Sequence, residues 1–203
     1  MKTAIVFYIG NNPFEVLITN SALVQAAYDF IVTLYQTRKR DNGEPFLIHP
    51  ISTVWILQNQ FGHTLTDEDV IIALLHDALW VDYAQTKVAL KNQFGESILD
   101  DVILLTKPHI IEDRAKQEED ERTQFFRLIE SGRTDLLRIK YAERLHNMLE
   151  LSKTNQTKQK RFLAITKNLY IDRFPQNAGL SDTIQNIFEE KYYEIVAQLN
   201  IQV

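Results

Sequence analysis

The 203-residue sequence predicts an all-α fold. Only 6 Gly and 5 Pro punctuate the chain, so long stretches can run as unbroken helix. Leu, Ile, Ala, Gln, Glu and Lys fill those stretches, a mix that suits helices far better than a strand-rich sandwich. The length is also ample for a core that needs no staples.

Taken in order, the first residues are the exception. Ala4 to Ile9 and Phe14 to Thr19 are β-branched and aromatic, with Gly10-Asn11-Asn12-Pro13 between them, and read as a small N-terminal β-hairpin. From Asn20 or Ser21, either of which suits an N-cap, a helix is expected to run to about Lys39 and stop at Asp41-Asn42-Gly43. Pro45 and Pro50 confine the next start, giving a helix over 51–61. Further helices are expected over 67–80, 86–94, 96–106, 112–131, 134–151, 157–172 and 181–200. With no repeat, low-complexity tract or linker, the expectation is one domain over 1–203, with residues 1–20 as an extension and a core over about 21–180.

Composition narrows the function. The net charge of −5 offers no broad basic field, so duplex nucleic acid is not an expected partner, although Arg38, Lys39 and Arg40 form one local basic spot. The absence of cysteine removes disulfides, thiolate catalysis and thiolate metal sites; any metal must be held by imidazole and carboxylate. Apolar runs such as Ala4 to Ile9 and Val70 to Leu75 are too short to span a bilayer, and the N-terminus lacks a cleavage pattern for export. No membrane contact and a cytoplasmic location are expected.

The helix expected over 67–80 carries the most chemistry. Asp67, Glu68 and Asp69 crowd its first turn, where the helix dipole favours acids, and Thr66 precedes them. From Val70 to Trp80 every residue is apolar except His76 and Asp77. A helix apolar on all sides is buried, and a buried carboxylate needs a cation or several hydrogen bonds. Either a divalent metal shared with His76, or a His-Asp pair bonded to backbone or to an Arg, satisfies that need. Neighbouring helix residues do not share a face, so further ligands would come from distant segments. Of the five His, His49 lies just before Pro50, where a ring projects from fixed backbone, and His146 shares the segment Lys140 to Met148 with Glu143 and Asn147. Lys140, Glu143 and Asn147 fall on one side of that helix, a side that by itself reads as solvent-facing. His63 and His109 sit in expected loops and receive no role.

Together the pieces resemble a known family. Arg40, Gly43-Glu44-Pro45-Phe46, His49-Pro50, Leu74-Leu75-His76-Asp77, Phe94-Gly95, Thr106-Lys107 and Ile139 to Met148 occur in the order found in RelA/SpoT-type alarmone hydrolases, with weaker agreement at Tyr170 and Pro175. The resemblance spans residues 22 to 180 or so and implies a small stand-alone form: an HD-domain orthogonal helical bundle around one divalent ion, commonly manganese. It implies removal of the 3′-linked pyrophosphate from guanosine tetra- or pentaphosphate, (p)ppGpp. It further implies metal ligands at His49, His76, Asp77 and Glu143, the last where the family usually has Asp, with Arg40 stacking on the base and Asn147 near ribose or phosphates.

Two further departures accompany the resemblance. Asp41 stands where Lys usually follows Arg40. The acidic pair expected three and four residues after Asp77 is replaced by Trp80 and Val81, and Asp82 comes one residue late. A bulge returning Asp82 to the site would make it the catalytic base beside a Lewis-acidic metal. Three classes therefore stand open: an active (p)ppGpp pyrophosphohydrolase, an HD phosphatase or nucleotidase for another nucleotide, and an inactive nucleotide-binding module.

Overall fold

The computed structural model describes residues 2–9, 12–19, 21–106, 114–173 and 179–202; for 2–19 and 114–118 the description is of the backbone. His109, Lys107 and Pro175 lie outside the described residues. The chain opens with the expected hairpin, β1 (Lys2–Ile9) and β2 (Asn12–Thr19), antiparallel with Phe7 opposite Phe14. Pro13 falls inside β2, opposite Tyr8, which a two-stranded ribbon tolerates because each strand has one unpaired edge. The remainder is helical: α1 (Ala22–Leu34), α2 (Ile48–Trp55), α3 (Asp67–Leu75), α4 (Tyr83–Leu105), α5 (Arg114–Glu130), α6 (Thr134–Leu149), α7 (Gln156–Thr166) and α8 (Asp182–Leu199). β2 lies against α2 and α3, while α6 contacts α2, α3, α4, α5, α7 and α8. The buried apolar side chains form a connected core from Val24 to Ile201. Among the described residues no helix is long and apolar enough to cross a membrane.

Several boundaries differ from expectation, each for a local reason. α1 stops at Leu34, short of Lys39, because the following backbone pairs with itself: Phe46 N–H donates to the Arg38 carbonyl at 2.9 Å and Arg40 N–H to the Glu44 carbonyl at 2.8 Å. This tight ribbon turns through Asn42, whose side chain accepts from Glu44 N–H, and Gly43 at φ 87°. α2 begins at Ile48, ahead of the expected residue 51, and places Pro50 within its first turn, where the missing N–H leaves no bond unmade. α3 is capped as its sequence suggests. Thr66 Oγ1 accepts from Asp69 N–H at 3.1 Å and Asp69 Oδ2 accepts from Thr66 N–H at 2.8 Å, with His63 Nε2 3.6 Å from the same carboxylate oxygen.

The expected helix over 67–80 breaks after Leu75, and a 3-10 turn at Ala78–Trp80 follows His76-Asp77. The two helices expected over 86–94 and 96–106 are both present within α4, meeting at a kink where Gly95 is non-helical (φ 87°, ψ 173°); beside it the ring of Phe94 meets Phe30 of α1 edge-on. π-helical turns extend α2 through Ile56–Gln60 and α7 through Lys167–Asp172.

The polar side of α6 does not face water, contrary to its pattern taken alone. Packed on many sides, the helix buries Lys140, Glu143, Arg144 and His146. Arg144 shows how such charge is accommodated. Its guanidinium pairs with Glu121 of α5, donates to Thr166 Oγ1 at 2.8 Å and to the Phe162 carbonyl at 3.0 Å, and lies 3.6 Å from the Phe162 ring centroid.

Candidate metal centre and its pocket

His49 projects from the first turn of α2, and His76 and Asp77 sit at the break after α3. On a continuous helix adjacent side chains diverge. Here the break turns them together: His76 Nε2 and Asp77 Oδ2 are 3.5 Å apart, His49 Nε2 is 3.4 Å from the same Asp77 oxygen, and the two imidazole Nε2 atoms are 3.2 Å apart. Donors about 2.1 Å from a shared cation in tetrahedral or octahedral geometry stand roughly 3.0–3.4 Å from one another, so the spacing fits a divalent ion. His76 Nδ1 donates to the Ala73 carbonyl at 2.7 Å, which leaves its Nε2 lone pair facing the group. Both rings are buried, and burial, reinforced by the neighbouring His146 and His76, holds His49 well below the usual imidazole range, hence neutral. Two imidazoles and a carboxylate converging in this way form a group able to hold a divalent metal.

Behind His49 stands a residue to which sequence reasoning gave no role. His146 Nδ1 lies 2.8 Å from His49 Nδ1. With His49 Nε2 turned toward the three-donor group, the His49 Nδ1 proton points at His146. Burial, and then the charge of Arg40, push His146 down to about 3, so it accepts as a neutral ring. The signal available in sequence was its place three residues after Glu143 on one helix.

The other expected site residues distribute unevenly. Glu143 lines the same pocket, but it is not among the three converging donors: Oε2 is 2.8 Å from Lys140 Nζ and Oε1 accepts from Asn147 Nδ2 at 2.6 Å. Arg40 and Asn147 do meet, Arg40 Nη2 donating to Asn147 Oδ1 at 2.7 Å. Asp82 stays apart. It is exposed, caps α4 by accepting from Gln85 N–H at 3.1 Å, and is not part of the pocket wall, whereas Trp80 and Val81 are. No bulge returns its carboxylate, because the 3-10 turn ends at Trp80 and α4 starts at Tyr83 with Asp82 as its cap. Asp82, expected as the catalytic base, is instead a helix cap outside the pocket wall in this structure.

The pocket, about 590 Å³, is lined by His49 and Asp77 and by Arg38, Lys39, Arg40 and Lys158, with Phe46, Trp80 and Phe162 supplying aromatic surface. Its volume is of the size that takes a small ligand. Lys158 pairs with Asp41, so that acid is neutralised in place; the same lysine holds the Asp41 carboxyl below its usual range. Among the described residues none of Arg38, Lys39 and Arg40 pairs with a carboxylate.

Comparisons with known proteins bear on the family and the fold. The HD domain family model matches residues 27–172. A GTP pyrophosphokinase rsh of Brucella melitensis is 30% identical over 154 residues, covering 74% of this chain and 20% of the relative. A guanosine-3′,5′-bis(diphosphate) 3′-pyrophosphohydrolase of Aquifex aeolicus is 32% identical over 147 residues, covering 72% of this chain and 20% of the relative. The chain thus spans about one fifth of the length of these curated relatives. A solved metazoan ortholog of SpoT, described as hydrolysing ppGpp, shares the fold with a TM-score of 0.71 at 19% identity, over 86% of this chain and 96% of that one.

Proposed function

The chain belongs to the HD domain family, and from that premise we propose that it is a metal-dependent phosphohydrolase of guanosine polyphosphates, removing the 3′-pyrophosphate of (p)ppGpp. The observation that carries the reading is the convergence of His49 Nε2, His76 Nε2 and Asp77 Oδ2 within 3.2–3.5 Å of one another, beside a pocket that His49 and Asp77 line together with Arg38, Lys39 and Arg40. Relatives named for this activity support it.

In this reading His49, His76 and Asp77 hold the ion, with manganese suited to a mixed imidazole and carboxylate set, and Glu143 is the fourth ligand. A divalent ion bound there supplies Lewis acidity toward a phosphate oxygen. Arg38 and Arg40 neutralise phosphate charge, and the Arg40 guanidinium, fixed by Asn147, also presents a flat face to the purine. His146 holds the His49 ring in its ligating tautomer. Trp80 and Phe46 shed water from the pocket wall.

A second reading is favoured by one specific observation. The wall after Asp77 is Trp80 and Val81, and Asp82 faces away as a cap, so the expected acids that would handle the attacking water are missing. The same pocket then binds a nucleotide without turning it over, or serves a different nucleotide.

One experiment addresses both. Manganese-loaded protein is offered guanosine tetraphosphate and a panel of other purine nucleotides, and pyrophosphate or phosphate release is followed beside equilibrium binding. Release of pyrophosphate from guanosine tetraphosphate is the expected result. Binding without release supports the inactive module, and release from another nucleotide alone supports the altered substrate. His76→Ala should abolish metal uptake while His63→Ala leaves it intact; uptake surviving His76→Ala would remove the centre on which the reading rests.

A further inference from the structure

Tyr35 stands at the C-terminal end of α1 and forms part of the pocket wall, beside Asp77 and Arg38. It is 2% exposed, and its ring packs on Phe46 with centroids 4.7 Å apart. Among the described residues no group bonds to its hydroxyl. A buried O–H without a protein partner is a cost that Phe would avoid while filling the same space. Other buried polar atoms in that condition, such as Ser52 Oγ and His146 Nε2, belong to residues outside the pocket wall. The pocket that Tyr35 lines is the route by which an acceptor would reach its hydroxyl. A phenol, with an ordinary pKa of about 10, is protonated at neutral pH and can donate its hydroxyl hydrogen. Arg38 and Arg40, which line the same pocket and pair with no carboxylate among the described residues, favour an anionic acceptor.

We propose that Tyr35 is a substrate-binding residue whose hydroxyl donates a hydrogen bond to a phosphate oxygen of the polyphosphate held between the metal ligands and the basic ribbon. This rests on the reading of the pocket as a nucleoside polyphosphate site. It gives the tyrosine a specific function: a stability cost in the free protein that is recovered when phosphate binds.

The test compares the manganese-loaded 203-residue wild type with Tyr35→Phe, using inorganic pyrophosphate as the probe in a calorimetric titration. Pyrophosphate should bind the variant about ten- to a hundredfold more weakly, the scale of one lost hydrogen bond to a charged group. Manganese affinity should be unchanged, and the Tm should be equal or higher. Equal pyrophosphate binding by the two proteins, or none by wild type, overturns the proposal. So does a fall in manganese affinity, which would make the hydroxyl a partner of Asp77, and so does a lower Tm or failure to fold, which would make it structural. Hydrolysis of guanosine tetraphosphate by wild type is scored separately. Turnover together with unchanged pyrophosphate binding in Tyr35→Phe sinks this proposal alone, and absent turnover together with weakened binding sinks only the hydrolytic reading.

Discussion

Two acids illustrate how position decides role. Asp82 has the composition of a base and the geometry of a cap. Asp82→Ala should cost about 1 kcal/mol of stability, the usual worth of an N-cap, while Asp82→Asn should cost a few tenths at most because Asn caps as well. Neither should change turnover measured with saturating metal, and a hundredfold loss in Asp82→Asn would restore the carboxylate to catalysis. Glu143 is the opposite case, a carboxylate inside the pocket whose side chain is 11% exposed and whose partner Lys140 is 4% exposed. In chelator, Glu143→Gln should destabilise the protein by about 3 kcal/mol, because it leaves the Lys140 ammonium buried without its counter-charge. With manganese present the same variant should also lose metal affinity. Loss of stability with undiminished affinity would identify Glu143 as an ion-pair partner and not a ligand.

At the level of elements, the break after α3 and the start of α6 do the positioning. His76 and Asp77 bring their donor atoms within 3.5 Å of each other where the α-helix ends at Leu75. The α6 start is pinned by Arg133, whose guanidinium bonds Asp101 of α4 at 2.5 and 2.9 Å and Asp135 at 2.7–3.1 Å. The Asp101 side chain is 3% exposed, so Arg133→Met should cost about 3 kcal/mol by stranding a buried carboxylate. Burial works to raise the Asp135 carboxyl, but the Arg133 bonds outweigh it and hold the group below its usual range. A depressed acid contributes stability that is full above its unfolded value, about 4, and is lost as pH falls through the lower folded value. Urea titrations from pH 6 to 2.5 should therefore show a modest acid loss in wild type, no more than about 1 kcal/mol from this group. Arg133→Met should lack that component; identical slopes would show that the pair contributes nothing.

For the whole molecule, metal and fold are linked. The three converging donors join α2 to the α3 break, and α2 and α3 both pack on α6, so an ion bound there favours the folded state by mass action. At a hundred times its dissociation constant the gain is about 2.7 kcal/mol. Thermal melts should fall by several degrees on strong chelation and recover with manganese. Curves that coincide with and without chelator would mean that the histidines and Asp77 satisfy one another without a cation.

Local chemistry was sufficient for much of this. Low Gly and Pro content, the capped acidic turn before Val70 and the apolar run that traps His76 and Asp77 announced a helical protein with a buried polar centre, because helix propensity and burial cost act within a few residues. The split at Gly95 and the N-terminal hairpin were legible for the same reason. Only the tertiary structure decided the rest. The polar side of α6 reads as solvent-facing until its neighbours cover it, His146 acquires a purpose only when α2 brings His49 within 2.8 Å, and the Tyr35 hydroxyl is lone only in relation to the surrounding wall. Those facts depend on distances between segments up to about a hundred residues apart in sequence, which packing fixes and local pattern does not encode.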